Sequence, residues 1–322
     1  MMKKNHAIEI TPKDDAFHGS PKRFAAEWWY FDATLNDDLS VHIGFKTFTR
    51  KNKGFVSPLI EIYKNGKLEH ISSNKSLFRR TTISKDFPSI QLNNKPIIHF
   101  DKQRYEKDGE WCYQVTLKIK ELSVDLLFTG ITKGWKIETP AESWTVALPK
   151  AKVTGTLSIN DKIIPVDGIG YHDHNWNYSM LTALTYGKGW YWGKIMSETM
   201  TITWANIIKS SKKSEILSIL NQDGKRFFNI DPSAISFTPK KKIKNYRKKT
   251  PTEFSFHIDD YVDDTTIKAE VEMKTKELHF SKVLFAPYWR YHVDAKGYLT
   301  IGDKTEPVSN IQIMEYMQFD IF

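Results

Sequence analysis

Alternation of apolar and polar residues is the dominant pattern along this chain. Between Tyr113 and Ile119 every second residue is apolar, and a period of two recurs from Leu122 to Phe128. Side chains of a strand alternate between its two faces, so this pattern is typical of half-buried antiparallel strands. Dipeptides that favour hairpin turns separate such runs: Asn65-Gly66, Asp108-Gly109, Asn160-Asp161, Asp223-Gly224 and Lys296-Gly297. The chain is predicted to be nearly all β, with one short helix from Ser179 to Tyr186.

The arrangement of these strands predicts two domains. Many short strands are typical of barrels or sandwiches, which protect their sheet edges. At roughly 150 residues per barrel, a chain of 322 residues has room for two. Pro140, Pro149 and Gly155 interrupt the pattern, so the join is expected between Trp144 and Gly155. The predicted domains are residues 1–150 and 151–322.

The composition is that of a folded protein. Hydrophobic residues make up 40% of the chain and aromatic residues 13%, which is ample for a packed core and argues against disorder. Cys112 is the single cysteine, so no intramolecular disulfide can form; its place in an alternating strand predicts a core position. No window approaches the roughly 20 apolar residues of a membrane-spanning helix. A soluble, cytoplasmic protein is expected.

The net charge of +9 comes largely from lysine, and the densest basic run extends from Lys240 to Lys249. Such a run can contact nucleic acid or anionic lipid head groups. No stacking or groove-reading motif accompanies it, so the favoured interpretation is a solvated loop tip between strands. No nucleic-acid partner is expected, and a peripheral membrane contact through this run stays open.

Three segments concentrate aromatic and polar residues: Glu27–Asp32, Gly170–Asn177 and Gly187–Lys194. The middle segment combines acid/base groups, amides and aromatics with almost no aliphatic residues. Read as a strand, it separates its side chains between two faces. One face carries His172, His174 and Trp176, and the other carries Tyr171, Asp173 and Asn175. Either face could line a polar site.

The histidines and the aspartate of this segment allow several interpretations. His172 and His174 point the same way and could grip a metal ion, but a third ligand is required and nothing local supplies it. Hydrogen-bonded pocket histidines are the favoured alternative, purely structural histidines are the other, and no metal is expected. Asp173 is a candidate for an altered pKa, raised by burial or lowered by imidazolium partners. Alternatively, it accepts hydrogen bonds from backbone or tryptophan indoles and pins the strand.

The aromatic residues of the three segments offer an apolar lining with polar handles, as in small-molecule pockets. Trp29 and Phe31 are predicted to fill the barrel core instead. Burying the carboxylate of Glu27 without a partner is costly. Two alternatives are therefore predicted: it pairs with Lys194, Arg290 or a histidine, or it begins a strand at the surface. The predicted ligand-binding residues are Glu27, Trp28, Tyr30, Tyr171, Trp176, Trp190 and Trp192.

Glu27–Asp32 together with Gly170–Trp176 resembles the hydroxyneurosporene synthase (carotenoid hydratase) and AttH-like family of lipocalin-like proteins. The flanks fit as well, since Trp144–Pro149, Gly155 and Pro165–Trp176 follow the family's order of tryptophan, proline, glycine and the histidine motif. The resemblance spans nearly the whole chain. It implies two lipocalin-like antiparallel β-barrels in tandem.

The resemblance also implies a type of chemistry. Family hydratases add water to an isolated double bond of an acyclic carotenoid without a redox cofactor, by protonating the alkene and capturing a carbocation. His174 and Trp176 match the family's His-x-Trp positions. The family's Tyr-x-Asp pattern is absent from the corresponding stretch, Met200–Asn206, so Asp173 would have to substitute as the proton donor. Other relatives of the fold are implied to cyclise polyenes, which requires no strong acid.

The sequence therefore predicts a protein that binds an elongated hydrophobic small molecule, an isoprenoid, polyene or fatty acyl group. Whether it also catalyses a cofactor-independent hydration, isomerisation or cyclisation is left open against a non-catalytic carrier. The candidate catalytic residues are Asp173, His174 and His172, and no cofactor is expected. A basic binder of nucleic acid or anionic surfaces is the third alternative.

Overall fold

Strands form nearly all of the regular structure of this protein. A computed structural model describes residues 6–20, 22, 25–50, 53–139, 142–179, 187–210, 212–224, 226–283 and 286–319. Among them there is one α-helix, α1 (Lys102–Asp108), and 3₁₀ turns at Pro12–Asp15, Phe78–Arg80 and Pro232–Ala234. The predicted all-β class is confirmed. The short helix predicted from Ser179 to Tyr186 falls, apart from Ser179, outside the described residues.

The first sheet is antiparallel and has fourteen strands. They are β1 (Ile8–Glu9), β2 (Ala25–Leu35), β3 (Leu39–Arg50), β4 (Lys53–Lys64), β5 (Lys67–Ser73), β6 (Ser76–Leu77), β7 (Thr81–Ile83), β8 (Ser89–Leu92), β9 (Lys95–Phe100), β10 (Cys112–Ile119), β11 (Leu122–Gly130), β12 (Trp135–Glu138), β13 (Ser143–Ile159) and β14 (Lys162–Ser179). The main path runs β5-β4-β3-β2-β14-β13-β11-β10-β9-β8-β7. Strands β2 and β14, far apart in sequence, are therefore neighbours at its centre.

The second sheet is also antiparallel and has nine strands. They are β15 (Gly189–Met196), β16 (Met200–Ile208), β17 (Ser214–Gln222), β18 (Phe227–Asn229), β19 (Ile235–Asn245), β20 (Lys248–Val262), β21 (Thr265–Val283), β22 (Ala286–Ile301) and β23 (Lys304–Gln318). Their order is β18-β17-β16-β15-β23-β22-β21-β20-β19. Among the described strands of this sheet, only the pairing of β15 with β23 joins strands that are not consecutive in the chain.

The backbone divides into two compact units, Met1–Ala183 and Leu184–Phe322. The division predicted after residue 150 falls inside β13. The pairing of β13 with β14 shifts register between Val146 and Leu148 and again between Leu148 and Ala151. Proline removes a ladder hydrogen bond and is accommodated at such bulges. The interruption at Pro149 thus marks bulges within one strand of the first sheet.

The core of the first unit lies on one face of its sheet. Trp29 and Phe31 are each 1% exposed and join the apolar core, as predicted. Cys112 is buried and free, in agreement with its predicted core position. Because alternate residues of β2 point inward, Glu27 lies on the same face as these two rings.

At Gly155 the backbone of β13 lies so close to β11 that it leaves no room for a side chain. Its φ is +146°, a region that is nearly exclusive to glycine, and a Cβ there would lie 2.1 Å from the carbonyl oxygen of Asp125. We expect Gly155→Ala to lower the free energy of unfolding by about 3 kcal/mol, the upper end of the cost of a strained residue. Gly224→Ala is the matched control, because its φ is +63° and a Cβ would meet nothing within 4 Å; about 1 kcal/mol is expected. If urea unfolding showed equal losses of unfolding free energy for the two variants, the close approach of β11 at Gly155 would not be the cause.

The basic run forms the end of β19, a two-residue turn and the start of β20. Tyr246 and Arg247 have φ values of +46° and +65°, as a tight hairpin turn requires. Lys240 pairs with Glu272 at 2.8 Å and Lys241 with Glu253 at 3.2 Å. The run is therefore a strand hairpin rather than a loop tip. No helix among the described residues is long and apolar enough to cross a membrane.

Candidate active site

The histidine motif lies in β14 at the centre of the first sheet, between β2 and β13. In the register of β14 with β2, His172 faces Phe31, Asp173 faces Tyr30 and His174 faces Trp29. The imidazoles stack on core rings, His172 on Phe31 at 3.7 Å and His174 on Trp29 at 4.2 Å between centroids. The predicted alternation of the motif between two faces is confirmed, and the first two aromatic segments are neighbouring strands.

A histidine cluster, made of Asp15, Glu27, Tyr113, His172 and His174, occupies the inner face. Asp15 accepts a hydrogen bond from the Tyr113 hydroxyl at 2.7 Å, and its Oδ2 lies 3.0 Å from His172 Nε2. The other oxygen of Asp15 is 3.4 Å from His174 Nδ1. His174 Nε2 lies 3.0 Å from Glu27 Oε1. His174 is therefore placed between two carboxylates.

Glu27 is buried and has several hydrogen-bond partners. Besides His174, it accepts the backbone N–H of His18 at 2.8 Å and of Gly19 at 2.9 Å. Of the partners considered from the sequence, the histidine is the one found. His172 is fixed equally well, since its Nδ1 lies 2.9 Å from the carbonyl oxygen of Tyr30.

The cluster sets the charge of its members. Burial alone would lower the pKa of His174, but its contacts with Asp15 and Glu27 raise that pKa to about 9. Burial would raise the pKa of Asp15, yet the charge and hydrogen bond of His172, followed by those of His174, hold it well below its usual range. Burial would likewise raise the pKa of Glu27, but the hydrogen bond from His174 and the nearby His18 lower it to about 2. Burial and the Asp15 charge raise the pKa of Tyr113 well above its usual value. Near neutral pH the cluster is a buried triplet of Asp15, protonated His174 and Glu27.

The N-terminal segment 11–20 supplies Asp15, a residue that sequence reasoning missed. The Trp29 indole donates to the carbonyl oxygen of Asp15 at 3.0 Å, and the Thr145 hydroxyl donates to that of Asp14 at 3.0 Å. Asp14 also accepts the backbone N–H of Thr11 at 2.7 Å. The only local signal was this Thr-x-x-Asp pattern at the start of a helical turn, which predicts a cap but not a partner in β14.

The outer face of the same strands carries a second constellation, the Tyr–Asp quartet of Tyr30, Asp32, Tyr171 and Asp173. Tyr30 donates to Asp32 and Tyr171 donates to Asp173, each at 2.8 Å. In the register of β2 with β14, Tyr171 faces Asp32 and Asp173 faces Tyr30. The two phenol rings are 6.1 Å apart, edge to face, and all four residues are buried. The two Tyr-x-Asp pairs thus lie side by side on antiparallel strands, each tyrosine opposite the aspartate of the other pair.

Further donors and acceptors extend the quartet across the sheet. The Trp144 indole donates to the same oxygen of Asp173 at 2.9 Å, which matches the alternative that Asp173 accepts from a tryptophan. On the other side, Glu61 accepts from the Tyr63 hydroxyl at 2.7 Å and lies 2.8 Å from His42 Nδ1. Asp32 was not among the predicted site residues, although its i, i+2 spacing from Tyr30 places both on one strand face.

The remaining predicted ligand-binding residues are divided between the units. Trp176 stacks on His18 at 3.7 Å, beside the histidine cluster, and Trp28 meets the edge of Tyr178 at 5.5 Å. Trp190, packed on Phe319, and Trp192 lie in β15 of the second unit. A common pocket formed by the three segments stays a prediction.

An open cavity of about 320 Å³ lies beside the segment 11–20 and contains none of the predicted site residues. Its wall includes Phe17, whose ring is 6.4 Å from Trp29. The lining residues are Phe17, Phe78, Thr81, Thr82, Ile83 and Lys85.

The metal-binding pair predicted as one alternative is not arranged as a chelate, because His172 and His174 both turn towards Asp15. Among the described residues, a different group brings three ligand atoms within 4.8 Å of one another: His18, Glu27 and His174.

Solved structures with this architecture span nearly the whole chain. An AttH candidate from Nitrosomonas europaea superposes with a TM-score of 0.64 at 14% identity, covering 98% of each chain. CghA in complex with Sch210972 gives a TM-score of 0.62 at 10% identity and covers 92% of this chain and 88% of its own. Kievitone hydratase from Nectria haematococca gives 0.53 at 9% identity, with 97% and 93% covered. At these identities the likeness shows the fold, a lipocalin-like pair of antiparallel sheets.

Sequence comparison gives a family and a partial relative. The model of the AttH-like family matches residues 2–303. The quinolone epoxide rearrangement protein penF of Penicillium thymicola is 29% identical over 79 residues. That alignment spans 24% of this chain and 21% of penF.

Proposed function

We propose a function for this chain on the premise that it belongs to the AttH-like family. It binds an elongated hydrophobic small molecule, an isoprenoid, polyene or fatty acyl compound, and catalyses its hydration, isomerisation or cyclisation without a cofactor. The observation that carries this proposal is the Tyr–Asp quartet, in which two carboxylates and two phenols share one buried sheet face.

The quartet has the groups that such chemistry uses. A buried carboxyl group can deliver a proton to an alkene or an epoxide and take one back from the product. Phenol and indole donors fix its orientation, as Tyr171 and Trp144 do for Asp173. Aromatic faces stabilise a developing positive charge through their quadrupole. In this proposal Asp173 is the catalytic acid/base, and Tyr30 and Tyr171 contact the ligand.

The two histidines take a different role in this proposal. His172 and His174 are buried completely and engaged with the carboxylates of the inner face. They therefore act as positioning residues, which fix β14 from the inside and hold Asp173 on the opposite face. The Tyr-x-Asp pattern that is missing from Met200–Asn206 has two counterparts in β2 and β14, so carotenoid-type hydration remains among the proposed reactions.

The names of the relatives support chemistry on a small organic molecule. They report the rearrangement of a quinolone epoxide, the hydration of kievitone and a complex with Sch210972. Acid-catalysed opening of an epoxide and acid-catalysed addition of water to an alkene both begin with proton transfer to the reacting group. One scaffold hosts many activities, so the substrate of this chain has to be identified directly.

The test begins with protein purified from its own host. Native mass spectrometry, followed by solvent extraction, is expected to reveal a hydrophobic molecule that an unrelated protein purified in parallel does not carry. Incubation of fresh protein with that molecule distinguishes the classes. A gain in mass equal to one water shows hydration, and an unchanged mass with a new retention time shows isomerisation or cyclisation.

A non-catalytic carrier would return the same molecule unaltered, which would contradict the catalytic half of the proposal. The absence of any enriched molecule, together with no conversion across a panel of isoprenoids, polyenes and fatty acyl compounds, would contradict both halves.

A further inference from the structure

The side chains of His18, Glu27 and His174 converge at the solvent side of the histidine cluster. Glu27 Oε1 lies 3.0 Å from His174 Nε2 and 3.7 Å from His18 Nδ1. Ligand atoms bound at about 2.0–2.2 Å in a tetrahedral zinc site are separated by roughly 3.3–3.6 Å. These two separations bracket that value, and the ligand atoms of all three residues lie within 4.8 Å of one another, so side-chain adjustments can bring them together around an ion.

The imidazole of His18 gives independent support for a ligand at this point. Its Nδ1 is buried and makes no hydrogen bond, although it is directed towards the Glu27 carboxylate at 3.7 Å. A buried polar atom without a partner carries a free-energy cost. The ring is held by stacking on Trp176 with an interplanar angle of 2°. An ion bound by Nδ1 would satisfy this atom.

The surroundings of His174 match those of a metal ligand. Histidines that bind metals usually direct their second ring nitrogen at a carboxylate, which orients the ring and increases its basicity. Here Nδ1 of His174 lies 3.4 Å from Asp15 Oδ1 in a charge contact without a hydrogen bond, while Nε2 faces Glu27. Glu27 is itself oriented by the backbone N–H groups of His18 and Gly19. Glu27 is thus oriented by hydrogen bonds, and His174 by a charge contact with a carboxylate.

From this arrangement we infer that His18, Glu27 and His174 form a binding site for a divalent transition-metal ion. Two imidazoles and one carboxylate suit Zn²⁺ and its first-row neighbours, whereas Mg²⁺ and Ca²⁺ prefer all-oxygen ligands. The side chain of His18 is 23% exposed and that of Glu27 is 6% exposed. The ion enters from the side of His18, and its fourth coordination position is open to a water molecule or a ligand.

Binding exchanges a proton for the ion. The metal binds the Nε2 lone pair of His174, so a proton carried by Nε2 leaves to solvent on binding. No electron transfer accompanies the exchange. The site does not depend on the quartet, because its three ligands belong to the inner face and the quartet belongs to the outer face.

The test uses the full chain, stripped with a chelator and titrated with Zn²⁺ against a chromophoric competitor. We expect one Zn²⁺ per chain, a rise in the unfolding temperature with Zn²⁺ but not with Mg²⁺, and visible absorption bands of low-symmetry Co²⁺ on substitution. His18→Ala is expected to weaken Zn²⁺ binding by about 100-fold or more, since loss of a direct ligand exceeds the roughly 10–100-fold effect of losing an outer partner.

His18→Ala keeps the backbone N–H that Glu27 accepts, and circular dichroism in chelator verifies its fold. His99→Ala is the matched control, because His99 is an exposed histidine of the same unit; its Zn²⁺ affinity should equal that of the unmodified chain. The inference is overturned if His18→Ala and His99→Ala bind Zn²⁺ equally, or if the unmodified chain binds none.

Discussion

Asp15→Asn is expected to lower the free energy of unfolding of the first unit by about 3–5 kcal/mol, the cost of removing one partner from a buried ion pair. Asp15 has no exposed surface and receives the Tyr113 hydroxyl and the His172 ring at 2.7 and 3.0 Å. An asparagine has nearly the same shape but carries no charge and turns an N–H₂ group towards donors. The buried protonated His174 would then face a single carboxylate.

Asp161→Asn is the control for this loss. Asp161 is an exposed turn residue with a φ of +63°, which asparagine tolerates, and its contact with Lys118 spans 3.7 Å at the surface. Exposed pairs contribute about 0–1 kcal/mol. Urea unfolding, with the transitions of the two units fitted separately, measures both variants. A loss below about 1 kcal/mol for Asp15→Asn would show that the cluster does not hold the segment 11–20 in place.

Asp173→Asn is expected to lower kcat/KM for the extracted substrate by about 10²–10⁴-fold, the usual contribution of a general acid or base. The amide retains an oxygen that accepts from Trp144 and Tyr171, so the fold and ligand affinity should be preserved. What the variant loses is the proton that a carboxyl group can exchange. Single-turnover measurements together with equilibrium binding separate the two effects.

Asp125→Asn makes the same chemical change in β11 of the same sheet, where the carboxylate is exposed and accepts from Gln114 and Thr116. This control should leave kcat/KM unchanged. If Asp173→Asn also forms product at the full rate, Asp173 is not the acid and the assignment of the quartet fails. If ligand binding and turnover fall together, Asp173 holds the site in shape and does not transfer the proton.

The features of this fold that could be predicted from the sequence are those that depend on local interactions. Alternation from Tyr113 to Phe128 defines two strands directly, because the period of two belongs to each strand by itself. The structure pairs them as one hairpin, β10 and β11. The division into units was less accessible. Pro149 and Gly155 interrupt the pattern in the same way whether they end a domain or, as here, accommodate bulges and a close backbone approach within β13.

In the candidate site, too, local patterns could be predicted from the sequence and long-range contacts could not. The two faces of β14 could be read from alternation, and with them the separation of His172 and His174 from Asp173. The partners of these residues could not be read. Asp15 lies 157 positions from His172 and 98 from Tyr113, and no spacing rule connects positions so remote. The Tyr–Asp quartet needed the pairing of β2 with β14, which the sequence does not specify.

The anchoring of segment 11–20 has a consequence for the order in which the protein folds. Synthesis delivers Asp15 early, yet its partners in β10 and β14 follow much later along the chain. Contacts of such long sequence separation form slowly, because the entropy of closing a large loop has to be overcome first. The segment that closes the histidine cluster is thus made before its partners and docks only after β14 is in place. Nascent chains that end before β14 would hold Asp15 without His172 and His174 and the first sheet without one of its central strands, an incompletely folded state of the kind on which chaperones and proteases act.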